Sequence, residues 1–212
     1  MKLFSTNYPP RPAIRTGKLQ ATSYKLEAVF GFSLIEMLVV ISIFLIMTLV
    51  VLSNMPAFRD KTALQLVAQE ISVTIRQAQI YGIGTRSSSG GTTNFPSYGL
   101  YFDITPSGDR RSFILYADKN SPAGFGGDSA NVIERFVVRG GVDITNLYAC
   151  DSSCSSISSN LLDFSFQRFY PDAEFTGITA SSVKVELQSA RTGDKKFVEV
   201  RKSGQILVTD NL

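Results

Sequence analysis

The chain has 212 residues, a hydrophobic content of 44% and a formal net charge of +3, which together suit one globular domain with appended segments. It contains no histidine, so a histidine-based nucleophile triad and a histidine-liganded zinc site are both excluded. Residues 1–31 hold five basic side chains and one acidic one, whereas the remaining sequence holds 16 basic and 17 acidic ones. The basic character therefore belongs to the N-terminal segment, and the rest of the chain is nearly neutral.

Residues 1–31 contain three prolines and no sustained apolar periodicity, which predicts an unstructured leader. An apolar run of 21 residues follows from Phe32 to Leu52, and Glu36 is its only charged residue. A helix of that length spans about 30 Å, which is roughly the hydrocarbon thickness of a bilayer. A carboxylate at membrane depth is costly and is normally neutralised, paired or functional. The run therefore predicts a transmembrane helix in which Glu36 has a particular role.

The apolar run could instead be the core of a cleaved secretory signal. Such a signal has an apolar core of about 7–15 residues followed by a small-x-small cleavage site. The run here is longer, and Ser53-Asn54-Met55-Pro56 offers no such site, so we expect the helix to be retained. A basic flank before a membrane helix stays in the cytoplasm, which predicts an extracytoplasmic C-terminal region.

The motif GFSLIEMLVVISIFLIM, from Gly31 to Met47, resembles the N-terminal segment of type IV pilins and pseudopilins. In that family the leader ends in Gly, a Phe follows, and a Glu stands four residues after the Phe. The resemblance implies that a prepilin peptidase cleaves between Gly31 and Phe32 and methylates the new amine of Phe32. It also implies that Glu36 acts in assembly, by pairing with the amine of a neighbouring subunit. The alternative is an ordinary signal anchor in which Glu36 is incidental.

A second helical segment follows the apolar run, and its apolar residues recur at spacings of three and four: Leu64, Val67, Ile71, Ile75 and Ala78. This stripe predicts an amphipathic helix over residues 56–84 that packs on a soluble domain. Pro56 removes a backbone donor and is expected to kink or unwind the helix. The resemblance implies one long helix, whereas a membrane helix (32–55) and a separate soluble helix are the alternative.

Residues 85–212 have the patterns of an antiparallel β domain. Eight strands are predicted from alternating or continuous apolar runs bounded by turn residues: Tyr98–Asp103, Ser112–Ala117, Val132–Val138, Val142–Tyr148, Leu162–Phe166, Val183–Leu187, Phe197–Arg201 and Gln205–Val208. Three hairpins are expected, with turns at 105–109, 139–141 and 202–204. The predicted fold class is α+β, with a long N-terminal helix packed on an antiparallel β-sandwich or strongly curved sheet.

The C-terminal part is similar to H-type pseudopilins and FimT-like minor pilins. The residues that carry this resemblance are Phe175-Thr176-Gly177, the strand Val183–Leu187, and the spaced set Val198, Val200, Gly204 and Ile206. The resemblance implies a pilin-like domain and favours a minor over a major subunit.

Cys150 and Cys154 lie in a serine-rich stretch, and an oxidising compartment would favour a disulfide between them over free thiols. No cofactor is expected. A calcium site formed by Asp118, Asn120 and Asp128 is an alternative to a plain acidic turn, although the spacing does not match an EF-type loop.

A cluster of basic residues near the C-terminus raises the alternative of a DNA-binding minor pilin that serves DNA uptake. The residues concerned are Arg191, Lys195, Lys196, Arg201 and Lys202. Phosphate contacts by such side chains would supply the affinity for DNA. However, Lys196 and Arg201 point to opposite faces of a strand, so the cluster does not form one stripe, and a solvated hairpin explains it equally.

The sequence therefore predicts a non-enzymatic assembly subunit of a type IV pilus or a type II secretion pseudopilus. The expected partners are other pilin or pseudopilin subunits, the prepilin peptidase, the inner-membrane assembly platform and the lipid bilayer. The expected location is the inner membrane, with a single pass and a cytoplasmic N-terminus, and then the filament. A receptor or enzyme domain tethered by a signal anchor is the remaining alternative, and no group of catalytic residues supports it.

Overall fold

The structure is a computed structural model that describes residue 31 and residues 33–84, 96–118, 124–127 and 129–212. Residues 47–212 form one compact unit, and the described residues before Met47 belong to a second unit. Most of the predicted leader (1–30) and Phe32 lie outside the described residues. The architecture is α+β, with one long helix and two antiparallel sheets, which confirms the predicted class.

Helix α1 runs from Leu34 to Ile83 and includes Pro56. It begins at Ser33, whose carbonyl and hydroxyl oxygens accept hydrogen bonds from the Glu36 amide at 3.0 and 3.2 Å, as in an N-cap. The expected local unwinding at Pro56 does not occur, because the helix continues through it without a change of type. Both flanking segments favour a helix, so the loss of one backbone donor does not end it. The two predicted helical segments therefore belong to one helix.

The first sheet has five antiparallel strands. In spatial order they are β3 (Val132–Val137), β2 (Ser112–Asp118), β1 (Ser97–Asp103), β6 (Leu161–Phe166) and β7 (Ala173–Phe175). A short 3₁₀ turn, Ser129–Asn131, precedes β3. The predicted hairpin between β1 and β2 is confirmed, with Phe102 opposite Phe113 next to the turn.

The second sheet also has five antiparallel strands. In spatial order they are β10 (Ile206–Thr209), β9 (Lys195–Arg201), β8 (Ser182–Ser189), β4 (Val142–Cys150) and β5 (Cys154–Ser156). The predicted hairpin between β9 and β10 is confirmed, with Val200 opposite Ile206. All eight predicted strands are present, and the short strands β5 and β7 are additional.

The predicted hairpin between Val132–Val138 and Val142–Tyr148 is wrong. Strand β3 pairs with β2, whereas β4 pairs with β8 and β5, so the intervening turn carries the chain from one sheet to the other. Gly140 and Gly141 both have positive φ angles, 77° and 71°, which glycine adopts without strain. A Cβ atom at Gly140 would lie 2.9 Å from the Ala63 side chain. The crossover therefore passes directly against α1.

The second half of α1 and both sheets share one hydrophobic core. The predicted stripe is confirmed, because Leu64, Val67, Ile71, Ile75 and Ala78 are each at most 5% exposed. The sheets contribute alternating residues such as Leu100, Phe102 and Phe164 from the first, and Val183, Val185 and Leu187 from the second. Gly82 allows β6 to approach closely, since a Cβ there would lie 2.6 Å from the Phe166 carbonyl oxygen.

Candidate functional site

The first half of α1 exposes its apolar side chains around its whole circumference. Every large apolar residue from Leu34 to Leu52 is exposed, from 47% at Val39 to 84% at Leu34. The most apolar 18-residue window of α1 has a mean hydropathy of 2.9, and none of it is buried. By length and composition, α1 is long and apolar enough to cross a membrane. An apolar surface of this extent marks a site of interaction with lipid or protein.

Glu36 lies in the first turn of this apolar segment. Its backbone amide is held by Ser33, which fixes the turn on which the carboxylate stands. A carboxylate near a helix N-terminus is stabilised by the partial positive charge of the unpaired amides there. Gly31, the other described residue of the predicted processing motif, precedes the helix and is exposed. The structure thus places Glu36 in the first turn of α1, five residues after Gly31 in the sequence.

Cys150 and Cys154 are joined by a disulfide. They lie directly opposite each other at the turn between β4 and β5, so the bond closes the turn formed by Asp151, Ser152 and Ser153. The covalent link holds the short strand β5 at the edge of the second sheet. The sequence shows no strand pattern there, and β5 pairs over only three residues.

Alkylation of the thiols in intact cells tests the disulfide. We expect Cys150 and Cys154 to resist alkylation until a reductant is added, because both sulfur atoms are consumed by the bond. Mass spectrometry of the peptide that contains both cysteines measures the number of labels. Full labelling of both thiols without a reductant would show that the disulfide does not form in the cell.

The predicted calcium ligands are only partly described. Asp118 ends β2 and is buried, whereas Asn120 and Asp128 lie outside the described residues. Within the described part of the chain, no group of three His, Cys, Asp or Glu side chains is placed to hold a metal ion.

Asp163 organises a polar cluster on the outer face of the first sheet that the sequence does not predict. Its Oδ1 accepts a hydrogen bond from the Tyr116 hydroxyl at 2.6 Å, and its Oδ2 accepts one from the Phe125 amide at 2.8 Å. Burial raises the pKa of Asp163, and these two hydrogen bonds oppose the shift. The pKa of Tyr116 is raised, first by the burial of its hydroxyl and then by the charge of Asp163. Asp163 thus fixes the loop at Phe125 to the sheet.

The five candidate DNA-binding residues do not form one surface. Lys196 lies on the core-side face of β9 with Val198 and Val200, whereas Lys195 and Arg201 lie on the other face. Four of the five form ion pairs: Arg191 with Asp60 at 3.7 Å, Lys195 with Glu186 at 2.8 Å, Lys196 with Asp210, and Arg201 with Glu199 at 2.9 Å. Most of the positive charge is therefore already balanced, which does not favour a phosphate-binding role.

Glu186, in the middle of β8, is the acceptor that holds Lys195. It is only 3% exposed, and its carboxylate also accepts hydrogen bonds from Thr145 at 2.9 Å and Tyr148 at 2.7 Å. Burial acts to raise the pKa of Glu186, but the hydrogen bonds from Lys195, Tyr148 and Thr145 outweigh it and bring the pKa below its ordinary value. The alternation of β8 predicts an outward position for Glu186, whereas its partners on β4 and β9 could not be read from the sequence.

Comparisons with protein-family models, with curated proteins and with solved structures find no match to this chain. The functional conclusion therefore depends on the sequence motif and on the geometry described above.

Proposed function

We propose that the chain is a structural subunit, of the minor kind, in a type IV pilus or a type II secretion pseudopilus. One observation carries the proposal: a single helix has a fully exposed apolar half with one placed carboxylate and a second half buried in a β domain. The apolar half needs lipid before assembly and other apolar helices afterwards. The β domain packs against the second half of the same helix.

The membrane location follows from the same segment. A helix whose exposed side chains are apolar on all sides is stable in hydrocarbon, where its backbone groups remain hydrogen-bonded within the helix. The basic leader would keep the N-terminus in the cytoplasm. The β domain would then face the extracytoplasmic side of the inner membrane, which is also the oxidising side and suits the disulfide.

The packed half of α1 offers a second surface for helix contacts. Leu66, Val73 and Ile80 are spaced by seven residues and are exposed by 60%, 62% and 65%. At 3.6 residues per turn they form a row on the face opposite the buried stripe. This row would extend the contact between helices of neighbouring subunits beyond the membrane segment. Prepilin peptidase, the assembly platform and other pilin or pseudopilin subunits are the partners that this function requires.

N-terminal processing is the first test of the proposal. We expect the mature chain to begin at Phe32 with a methylated amine, because Gly31 directly precedes the apolar helix. N-terminal sequencing and mass spectrometry of the membrane-bound protein measure both features. Gly31→Val should leave the full-length precursor in the membrane. A mature N-terminus after Leu52 would instead identify a cleaved secretory signal.

Location is the second test. The wild-type chain is expected in the inner-membrane fraction and in filaments sheared from cells that carry the complete assembly system. The alternative result is a chain that stays entirely in the membrane of cells whose filaments lack it. That result would contradict a subunit role and favour a membrane-anchored receptor or enzyme.

A further inference from the structure

Two turns of the β domain meet α1 at the start of its packed half. The crossover between the sheets passes against Ala63, since a Cβ atom at Gly140 would lie 2.9 Å from the Ala63 side chain. The turn between β8 and β9 reaches the helix three residues earlier, where the Arg191 guanidinium lies 3.7 Å from the Asp60 carboxylate. Both turns therefore lie at the end of the β domain at which α1 enters it.

The turn between β1 and β2 ends at the same place. The Val138 amide donates a hydrogen bond to the Arg111 carbonyl at 2.7 Å, and the Ala190 amide donates one to the Gly141 carbonyl at 2.9 Å. These bonds join all three turns to one another. We refer to the segments they form with the helix as the entry end of the β domain: 59–63, 109–111, 138–143 and 190–194.

The entry end exposes more positive than negative charge. Its acidic residues are Asp60, Asp109, Asp143 and Asp194, and its basic residues are Arg59, Lys61, Arg110, Arg111, Arg139 and Arg191. Arg111 pairs with Asp143, and Arg191 pairs with Asp60. Within the described part of the chain, no ion pair involves the other four basic side chains, and all four are exposed. The acidic residues other than Asp109 are half-buried, so the accessible charge is mainly positive.

The entry end lies close to the lipid that the apolar half of α1 requires. The apolar run ends at Leu52, eight residues before Asp60, and both residues belong to the compact unit formed by residues 47–212. Eight residues extend about 12 Å along a helix, and the headgroup layer on each side of a bilayer is roughly 5–8 Å thick. The entry end is therefore within about 10 Å of the headgroups, roughly the range of electrostatic interactions at physiological salt.

We propose that the entry end binds the anionic headgroups of the bilayer that α1 enters, and thereby holds the β domain against the membrane before assembly. The four unpaired basic side chains donate hydrogen bonds to headgroup phosphates, and their long stems let the charged groups reach toward the membrane surface. Anionic lipids are favoured over zwitterionic ones, because the latter carry a cation of their own. This inference rests on the membrane location in the proposed function and adds the class of lipid.

Quenching by labelled headgroups tests this contact in the full-length chain. Ser107→Cys places a fluorophore in the β1–β2 turn, while the native cysteines stay unlabelled because they form a disulfide. The vesicles consist of phosphatidylcholine, with or without phosphatidylglycerol, and contain a lipid with a nitroxide quencher on its headgroup. We expect stronger quenching in the anionic vesicles, and this excess should disappear at high salt. A fluorophore at Ser203→Cys, in the β9–β10 turn outside the entry end, should show no excess.

Removal of two unpaired cations separates headgroup binding from mere proximity. Arg110→Gln with Arg139→Gln should abolish most of the excess quenching, since each cation near an anionic surface changes the ratio of docked to undocked domains about fivefold. The matched control, Arg76→Gln with Lys202→Gln, removes the same charge from exposed positions outside the entry end and should retain the excess. Both variants should unfold at the temperature of the parent, because substitutions at exposed positions change the stability little.

Three results would overturn headgroup binding. Equal quenching in both kinds of vesicle would show that the helix alone keeps the β domain near the bilayer. An excess that Arg110→Gln with Arg139→Gln leaves unchanged would exclude the entry end as its cause. Binding of duplex DNA that these two substitutions remove, without any excess quenching, would make nucleic acid the ligand instead.

The failure of headgroup binding is distinguishable from the failure of the proposed function. Flotation of the vesicles first measures whether the chain is inserted. A chain that floats with the vesicles and enters sheared filaments, yet shows no excess quenching, retains the proposed function without this contact. A chain that neither floats nor enters filaments would contradict both proposals.

Discussion

Glu36→Ala and Glu36→Gln are expected to leave the chain processed, inserted and folded, yet nearly absent from filaments. Glu36 is the only charge among the 21 residues of the apolar run and stands in the first turn of α1. A single carboxylate at membrane depth costs about 3 kcal/mol on insertion scales, so its removal should make insertion easier. The β domain is unaffected, because its core contains residues from Leu64 onward. The loss should therefore appear only when subunits join.

The expected cause is an ion pair between subunits. Cleavage after Gly31 would give Phe32 a free amine, which stays cationic after methylation. Glu36 could pair with that amine within one chain or with the amine of a neighbour. A pair within the chain would matter for insertion, whereas a pair between chains would matter only for entry into the filament. A pair removed from water interacts more strongly than an exposed one, so its loss should have a large effect on assembly.

The measurement compares the level of each variant in the inner membrane with its level in sheared filaments. Glu70→Gln is the matched control, because it removes an exposed carboxylate from the packed half of the same helix. It should enter filaments as the wild type does. Equal incorporation of the Glu36 variants and the wild type would show that Glu36 has no role in assembly.

The local patterns of the sequence predict most of the fold. The apolar stripe from Leu64 to Ala78 is the buried face of α1, and all eight predicted strands lie where apolar residues alternate or run together. These predictions succeed because the spacing of side chains along a helix or strand is set by the backbone alone. The sequence alone does not decide whether α1 continues through Pro56, as it does in the structure, because local propensity does not record the packing on either side of the proline.

The pairing of strands was harder to predict. The turn at Gly140 and Gly141 has the composition of a hairpin turn, but in the structure it joins the two sheets. The backbone amide of Val138 donates to the Arg111 carbonyl at 2.7 Å, and that of Ile144 donates to the Arg110 carbonyl at 2.9 Å. These partners are about 30 residues away in the sequence, so no local signal records them. The same is true of Asp163, whose two donors come from distant segments.

Asp163→Ala is expected to lower the free energy of unfolding by about 2–6 kcal/mol, because two buried donors lose their acceptor and each costs roughly 1–3 kcal/mol. The donors are the hydroxyl of Tyr116 and the amide of Phe125, two residues that are 0% and 7% exposed. For a domain of this size the melting temperature should fall by roughly 4–24 °C. Thermal unfolding of the full chain in detergent, followed by circular dichroism, measures the change.

Asp163→Asn is the matched variant, because its amide can accept from Phe125 and donate to the Tyr116 oxygen without a charge. We expect it to remain close to the wild type at neutral pH. Burial raises the pKa of Asp163 above its ordinary value of 3.8, so the folded state holds the proton more tightly than the unfolded state. The stability of the wild type relative to Asp163→Asn should therefore increase as the pH falls from neutral and level off below about 3.8.

Denaturant titrations of both proteins at a series of pH values between about 7 and 4 measure this difference, since other titrating groups contribute equally to the two chains and cancel. A difference that decreases as the pH falls would mean that Asp163 is stabilised as the carboxylate. In that case the hydrogen bonds from Tyr116 and Phe125 would outweigh its burial, as the bonds to Glu186 do in the second sheet.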